Sequence, residues 1–355
     1  MVERDELASW LRLLETPGIG LESARVRLAQ AGSLEAAVHQ LPAPPPDLPA
    51  VIERTWAWLQ ASPQHDVLTL GDVDYPPLLM QTADPPLLLY LVGRRELLSR
   101  DMLAMVGSRR PTPQGRDNAE DFGRELAAAG LVIVSGLALG VDGAAHQGAL
   151  DAGGDTIAIV GTGQDQIYPR RHNALGERIR REGLMVSEYA LGTPPLPQHF
   201  PRRNRLIAGM ARGCLVVEAA LGSGSLITAR LASEAGREVF AIPGSIHSDQ
   251  SRGCHSLIRQ GAKLVESAAD VLEELPLMDG VSSSGTTATP DEEISASPHL
   301  KRLLGLMGYE PVSLEALLNR GAGTSAEVSA WLLDLELAGQ VARLAGQLFQ
   351  RRVRT

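Results

Sequence analysis

Four arginines and a glycine-rich turn lie close together near the middle of the chain, within residues 202–225. The arginines are Arg202, Arg203, Arg205 and Arg212. An apolar run typical of a buried strand, 214–220, separates them from the turn Gly222-Ser223-Gly224-Ser225. A glycine-rich turn between a strand and a helix directs backbone N–H groups at an anion, and the helix N-terminus adds partial positive charge. The cluster therefore predicts a phosphate-binding site.

Each part of this cluster also has a structural interpretation. Ser223 or Ser225 can cap the helix that follows, and either hydroxyl can donate to a phosphate. A helix that begins near residue 200 places three of the arginines near one face, namely Arg202, Arg205 and Arg212. Arg205 can instead pair with Glu188 or Glu218 at neighbouring strand ends. The phosphate interpretation depends on the whole cluster.

The composition is that of a globular protein that is not basic overall. The 355 residues, 44% hydrophobic and 21% charged, suffice for two or three domains. A net charge of −9 argues against nucleic acid covering the whole surface, but it allows a local basic groove, because phosphate binding depends on the local field. No apolar run reaches the ~18 residues of a membrane helix. The charged N-terminus is unlike a secretory signal, so we expect a cytoplasmic protein without membrane contact.

We expect neither a metal nor a cofactor. Two cysteines, Cys214 and Cys254, rule out a disulfide framework, and Cys254 with His255 and His247 is a poor candidate for a metal site. The turn at 107–109 does not read GxGxxG, so dinucleotide binding is unsupported. No GxxxxGK[ST] loop occurs, which argues against ATP hydrolysis.

Regular alternation of apolar runs and helical patterns begins at Met102 and ends near Leu275. The runs are MLAMVG, LVIVSG, TIAIVG, LMVSEY, CLVVEA and EVFAIPG. Continuous apolar runs that end in glycine or a small polar residue indicate parallel strands buried on both faces. The repetition predicts an α/β fold with a doubly wound parallel sheet. Two further strands are expected earlier, at 67–70 and 87–92.

Smaller domains flank this core. Residues 1–62 read as a helical domain whose helix, PGIG turn and helix are similar to a helix-hairpin-helix. The core follows at 63–275. Residues 276–298, rich in Ser, Thr, Gly and acid, predict a flexible linker. Three helical patterns and a hairpin predict a winged helix at 299–355, with Thr324 and Glu327 as a capping box.

Ligands of such a sheet bind beyond the carboxyl ends of the strands. The Gly107-Ser108-Arg109 turn lies at one such end, and Tyr168-Pro169-Arg170 follows another. Tyr168 and Phe200 are aromatics among arginines, a pairing that stacks unpaired bases while phosphates are held. Ordinary packing under the loops is the alternative for both rings.

Asp142 and His146 are one helical turn apart and could form an acid/base pair. The alternative is structural, with the aspartate capping the helix and the histidine ordering a loop. No third catalytic partner is evident in the sequence.

At this point the chain resembles the DNA-processing protein A family, DprA, also called Smf. Matching segments cover residues 67–275 almost without a gap. They are AMVGSRRPTPQG at 104–115, IVSGLALGVDGAAHQGAL at 133–150, TIAIVGTGQDQIYPRRH at 156–172, SEYALG at 187–192, FPRRNRLIAG at 200–209, VVEAALGSGSLITA at 216–229 and VFAIPGSIHSDQSRGCHSLIRQGA at 239–262.

The resemblance implies an extended Rossmann-like core with no known catalytic step. It implies binding of single-stranded DNA, loading of the RecA recombinase onto incoming strands in natural transformation, and a homodimer formed through the core. The residues it carries over are Arg109, Arg170, Arg202, Asn204 and Arg205. Together with the phosphate cluster, the candidate DNA-binding residues are Gly107, Ser108, Arg109, Arg170, Phe200, Arg202, Arg203, Asn204, Arg205, Gly222, Ser223, Gly224 and Ser225.

Two other functions compete with this one. The related nucleoside-monophosphate phosphoribohydrolases carry PGGxGTxxE with a catalytic glutamate, but Thr228 and Ala229 leave no carboxylate at the comparable turn. A phosphate cradle without its acid favours binding over hydrolysis. A winged helix could also bind duplex DNA, but its third helix carries Glu327, Asp334 and Glu336 and no basic residue, which favours protein contact.

Overall fold

A nine-stranded sheet forms the centre of the chain in a computed structural model that describes residues 2–275, 298–344 and 346–352. The predicted linker at 276–298 lies outside these residues, except for Pro298. The strands of the sheet are β1 His65–Thr69, β2 Leu88–Gly93, β3 Met102–Val106, β4 Val132–Ser135, β5 Thr156–Val160, β6 Leu184–Ser187, β7 Gly213–Val216, β8 Glu238–Ala241 and β9 Lys263–Leu264. The doubly wound α/β prediction is confirmed.

The strand order is β1-β2-β6-β5-β4-β3-β7-β8-β9. Neighbours from β6 to β9 are parallel, whereas β1 and β2 are antiparallel. The chain builds outward from β3 through β4, β5 and β6, then returns to the other side of β3 as β7. This reversal opens a crevice between the carboxyl ends of β3 and β7, where ligands of doubly wound sheets bind.

Helices cover both faces of the sheet. The core helices are α5 Pro77–Met80, α6 Pro113–Ala128, α7 Val141–Asp151, α8 Asn173–Glu182, α9 His199–Met210, α10 Ser225–Glu234, α11 Arg252–Arg259 and α12 Ala268–Glu274. Successive side chains of a strand point to opposite faces. Thus Leu103 and Met105 of β3 pack with α6, α7 and α12, whereas Ala104 and Val106 pack with α9, α10 and α11.

The N-terminal helical unit packs on the antiparallel end of this sheet. Its helices are α1 Arg4–Glu15, α2 Leu21–Ala31, α3 Leu34–His39 and α4 Leu48–Gln60. The predicted break between the first two helices is present, with Gly18 in the left-handed region at φ 80°. Leu7, Leu11 and Leu59 pack with Leu88 and Tyr90 of β2, so the unit shares a core with the sheet edge.

The C-terminal unit is a winged helix, as predicted. It consists of α13 Pro298–Met307, β10 Val312–Ser313, α14 Leu314–Asn319, α15 Ser325–Leu337, β11 Val341–Leu344 and β12 Leu348–Arg351. Thr324 and Glu327 form the expected capping box. The short strand β10, which completes a three-stranded sheet with the hairpin, was not predicted. In the described part of the chain no helix has the length and apolarity that a membrane span requires.

An ion pair between described residues joins the winged helix to the core. The Arg352 Nε donates to the Asp117 Oδ2 of α6 at 2.6 Å, and a second N–H of the guanidinium donates to Oδ1. Asp117 is only 4% exposed. Because the two oxygens match the fork of the guanidinium, this bidentate contact ties the end of β12 to α6.

We expect Arg352→Ala to loosen this docking, since it leaves the buried Asp117 carboxylate without its partner at a cost of about 1.5–3 kcal/mol. Small-angle scattering of the full chain should show a larger radius of gyration. The matched control is Arg351→Ala, because the Arg351 guanidinium stacks over Tyr309, 4.8 Å from the ring centroid and within the winged helix. Identical scattering from both variants and the parent would contradict the docking role.

Candidate nucleic-acid interface

A cavity of about 740 Å³ occupies the crevice between the ends of β3 and β7. All but three of the candidate DNA-binding residues line it. The three that do not are Arg170, Arg202 and Arg205. The reversal of strand order therefore brings together segments that are more than a hundred residues apart in the sequence.

The loop after β3 carries Arg109 into this cavity, and Glu218 holds the loop in place. The Ser108 amide donates to the Glu218 carbonyl at 2.7 Å. The Glu218 carboxylate accepts from the Thr112 amide at 2.9 Å and from its hydroxyl at 2.6 Å, just before α6. Burial raises the pKa of the Glu218 carboxyl. Sequence reasoning considered Glu218 only as a partner for Arg205, although its place directly after a buried strand could have indicated this anchoring role.

Two aromatic rings line the same cavity. The Phe200 and Tyr168 rings have centroids 5.6 Å apart, tilted by 32°. The Arg109 guanidinium carbon lies 5.8 Å from the Phe200 centroid, a cation–π distance. Tyr168 remains 45% exposed. The rings are therefore not sealed in the core, and an entering planar group can reach them.

The turn Gly222–Ser225 begins α10, which has Gly224 as its N-cap. The N-cap residue has no side-chain cap hydrogen bond, but the Ser223 hydroxyl accepts from the Ser225 amide, the first of the helix, at 3.3 Å. The Ser223 and Ser225 hydroxyls are 2.6 Å apart. The Asn204 side chain donates to the Gly224 carbonyl at 3.5 Å, so that α9 touches the turn.

Arg203 and Asp142 form the floor of the cavity. Arg203 is 4% and Asp142 is 7% exposed. Burial lowers the pKa of the Arg203 guanidinium to about 10, with Asp142 opposing the shift and Arg109 adding to it. The guanidinium thus stays charged at neutral pH. Burial also raises the pKa of the Asp142 carboxyl, against hydrogen bonds from the Gly136 and Ala138 amides.

Asp142 and His146 hydrogen-bond to different partners, and no bond between them is present among the described residues. The structural alternative is wrong in both parts: the N-cap is Gly140, and the loop before α7 is held by Asp142, which accepts from the Gly136 and Ala138 amides, and not by His146. His146 is fully buried and contacts the Thr156 hydroxyl at 2.7 Å. Burial lowers the pKa of His146 to about 3, which keeps the ring neutral at physiological pH.

Comparison with known proteins gives two matches to family models. Residues 66–276 match the model described as DNA recombination-mediator protein A, and residues 287–347 match the DprA winged helix domain. The chain belongs to the DNA recombination-mediator protein A family. The family resemblance found in the sequence is confirmed.

Relatives and solved structures agree with this membership. The chain is 42% identical to Protein Smf of Escherichia coli K12 over 83% of this chain and 79% of the relative. It is 49% identical to DNA processing protein DprA of Streptococcus pneumoniae R6 over 61% of this chain and 75% of the relative. The crystal structure of DprA from Streptococcus pneumoniae matches with a TM-score of 0.65 at 38% identity, covering 77% of this chain and 98% of that one.

A second solved structure of the family concerns the single-stranded DNA binding mode of DNA processing protein A from Helicobacter pylori. It matches with a TM-score of 0.54 at 33% identity, covering 59% of this chain and 95% of that one.

The candidate arginines outside the cavity have other surroundings. The Arg205 guanidinium is ion-paired with Glu188 and lies 3.2 Å from Asp84, which agrees with the structural alternative. Arg202 is half-exposed, with its Nε 4.0 Å from Glu188. Arg170 is exposed at the start of a short 3₁₀ turn, Arg170–His172. A DNA contact by any of the three stays a prediction.

The expectation that Arg212 shares a helix face with Arg202 and Arg205 is wrong. Helix α9 ends at Met210, because Ala211 adopts an extended conformation with φ −94° and ψ 152°. Arg212 therefore precedes β7 at the opposite edge of the sheet, where its Nη1 lies 3.1 Å from Asp101.

We expect Arg205→Ala to lower the free energy of unfolding by about 1.5–3 kcal/mol, because it leaves Glu188 without a charge-assisted hydrogen bond. The Glu188 side chain is only 7% exposed. Arg202→Ala is the matched control, since the Arg202 side chain is 48% exposed and its removal should change stability by no more than about 0.5 kcal/mol. Thermal unfolding measures both. Equal melting temperatures for the two variants would contradict a structural role for Arg205.

Proposed function

We propose that this protein binds single-stranded DNA in the cavity between β3 and β7. The observation that carries the proposal is the Arg109 guanidinium, 5.8 Å from the Phe200 centroid, with Tyr168 beside the ring. An unpaired base can stack on such rings, whereas a base inside a duplex keeps its faces covered by its neighbours. Arginine beside the rings supplies charge for the adjoining phosphate.

The phosphate half of the site consists of Arg109, Arg110, Arg203 and the Gly222–Ser225 turn. Among the described residues that line the cavity, Asp142 carries the one carboxylate. The local field therefore favours anions in a protein whose net charge is −9. Membership of the DNA recombination-mediator family supports the same ligand, as does the Helicobacter pylori relative whose structure concerns single-stranded DNA binding.

We propose binding without a catalytic step. Thr228 of α10 lines the cavity where a phosphoribohydrolase would carry its glutamate. The Oδ2 of the Asp142 carboxylate accepts from two loop amides, which gives this carboxylate a structural role. These features favour a binder over a nucleotide hydrolase, and the absence of free-base release from nucleoside monophosphates would support that choice.

We further propose that the protein protects incoming DNA during natural transformation, in the cytoplasm, and loads RecA onto it. The support is the family itself, together with the DNA processing protein DprA relatives. The winged helix supports a protein-contact role, because Leu333 and Leu337 of α15 are 51% and 81% exposed beside acidic residues. RecA filament assembly on strands coated with single-strand-binding protein, with and without this protein, tests the loading step.

We also propose a homodimer through the core. The support is a cavity of about 490 Å³ between α10 and α11, lined by Leu226, Ile227 and Leu257, with Leu221 59% exposed at its rim. Contiguous apolar surface of this kind often marks a protein contact. Sedimentation equilibrium of the parent and of Leu257→Glu tests the proposal.

We expect Arg109→Ala to weaken single-strand binding by roughly ten- to a hundredfold, because a charge-assisted contact to phosphate contributes about 1.5–3 kcal/mol. The salt dependence of affinity should become shallower by about one unit. The parent should prefer single strand to duplex, with affinity falling steeply as salt rises. Fluorescence anisotropy over a salt series measures all three. Equal affinity for duplex, or unchanged binding by the variant at every salt concentration, would refute the site.

We expect Gly224→Ala to weaken the same binding without destabilising the fold. Gly224 has ordinary helical angles, φ −61° and ψ −20°, and an added Cβ would meet nothing within 4 Å. A DNA backbone lying against the turn would meet the new methyl group. Gly71→Ala is the matched control, because Gly71 also faces open space but lies outside the cavity. If both variants melt and bind like the parent, the strand does not approach this turn.

A further inference from the structure

Arg203 is a buried cation whose hydrogen-bonding capacity the fold uses only in part. It is 4% exposed and lines the floor of the cavity. One N–H of its guanidinium donates to the Ile159 carbonyl at the end of β5. Its Nε has no hydrogen-bond partner among the described residues. A buried guanidinium is costly to leave incompletely hydrogen-bonded, and Arg203 is one that also lines the cavity.

No described carboxylate lies within ion-pair distance of the Arg203 guanidinium. Asp142 is the nearest acidic group to influence it, but that carboxylate holds the Gly136 and Ala138 amides at 3.1 and 3.3 Å. Arg109 acts on Arg203 as a second positive charge and, together with burial, lowers its pKa. An anion between the two arginines would relieve their repulsion and give the buried Arg203 guanidinium a counter-charge.

A second group of donors faces the same cavity. Gly222 and Gly224 line it, and neither amide donates to another described residue. An added Cβ at either glycine would meet nothing within 4 Å, so the protein's own packing does not demand glycine there. Helix α10, Ser225–Glu234, begins at this turn and contributes its N-terminal partial charge. These donors and Arg203 can act on one multiply charged oxyanion.

The depth of Arg203 distinguishes between two kinds of phosphate. A phosphodiester inside a strand carries one charge, and its chain must both enter and leave the binding site. A terminal phosphate monoester needs one path only, offers three acceptor oxygens and carries close to two charges above its second pKa of about 6. A nearly inaccessible guanidinium on the cavity floor suits the monoester.

We propose that the cavity floor at Arg203 binds the terminal phosphate monoester of a DNA strand, so that the protein prefers strands with a phosphorylated end. The inference rests on the proposed single-strand binding in this cavity. The nucleotide that carries the phosphate stacks on Phe200, and the rest of the strand leaves past Tyr168 and Arg109. A free nucleoside monophosphate presents the same chemistry, and the experiment separates it from a strand end.

The test compares one oligonucleotide in four forms bound to the full-length chain: 5′-phosphorylated, 3′-phosphorylated, hydroxyl at both ends, and circularised. We expect one phosphorylated form to bind about ten- to a hundredfold more tightly than the hydroxyl-ended and circular forms. The preference should grow as pH rises through about 6, where the monoester gains its second charge, while Arg203 stays protonated. Deoxynucleoside monophosphate should compete with that form, and the matching deoxynucleoside should not.

Arg203→Gln should bring the ratio between phosphorylated and circular strands close to one. Arg181→Gln is the matched control: it removes the same charge from an exposed side chain of α8 that lies outside the cavity and outside the candidate DNA-binding set, and should leave that ratio as in the parent. Should Arg203→Gln fail to fold, the affinities of the parent protein for the four forms of the oligonucleotide are sufficient to test the inference. Equal affinity of the parent for all four forms overturns the inference, as does competition by the monophosphate without any preference for phosphorylated ends. Failure to bind any strand overturns the proposed function itself.

Discussion

Glu218 is the contact on which the geometry of the cavity depends. It follows β7, and it joins the loop after β3 through its carbonyl and the start of α6 through its carboxylate. Gly115 of α6 lies so close that a Cβ there would collide with the Glu218 carboxylate. One residue therefore connects the two strands at which the strand order reverses, and it fixes the loop that carries Arg109.

The glycines around the cavity serve two different purposes. A Cβ at Gly107 would come within 2.7 Å of Val141, and one at Gly136 would overlap the Arg203 guanidinium, so the fold itself requires these glycines. Gly222 and Gly224 face open space. The first pair makes room for protein groups, including the buried cation. The second pair leaves open space that a bound ligand can occupy. A substitution at Gly222 or Gly224 should therefore weaken ligand binding without lowering the stability of the fold.

The sequence predicted the sheet and most of the cavity because both follow from local patterns. Buried parallel strands are continuous apolar runs, and their carboxyl ends share one edge, so Arg109, Phe200 and Gly222 could be placed together without coordinates. The strands β9 and β10 have two residues each, too few for a pattern. Helix α9 ends at Met210, and the extended Ala211 that follows places Arg212 at the opposite edge, which helical spacing alone did not predict. The pairing of Arg352 with Asp117 joins residues 235 positions apart. A local hydrophobic pattern in the sequence cannot predict such a contact.

The arginines of this acidic chain fall into two groups with different roles. Arg25, Arg95 and Arg205 are surrounded by carboxylates at the junction of the N-terminal helices, the first strands and α9. Their charge is neutralised there, and they stabilise the assembly of the elements. Arg109, Arg110 and Arg203 line the cavity and have no described carboxylate within ion-pair distance. Net charge therefore says little about the ligand, because the field at the cavity is set by which arginines the fold leaves without a counter-ion. The aromatic faces beside these charges suit the proposed ligand, because only an unstacked base exposes a face to them.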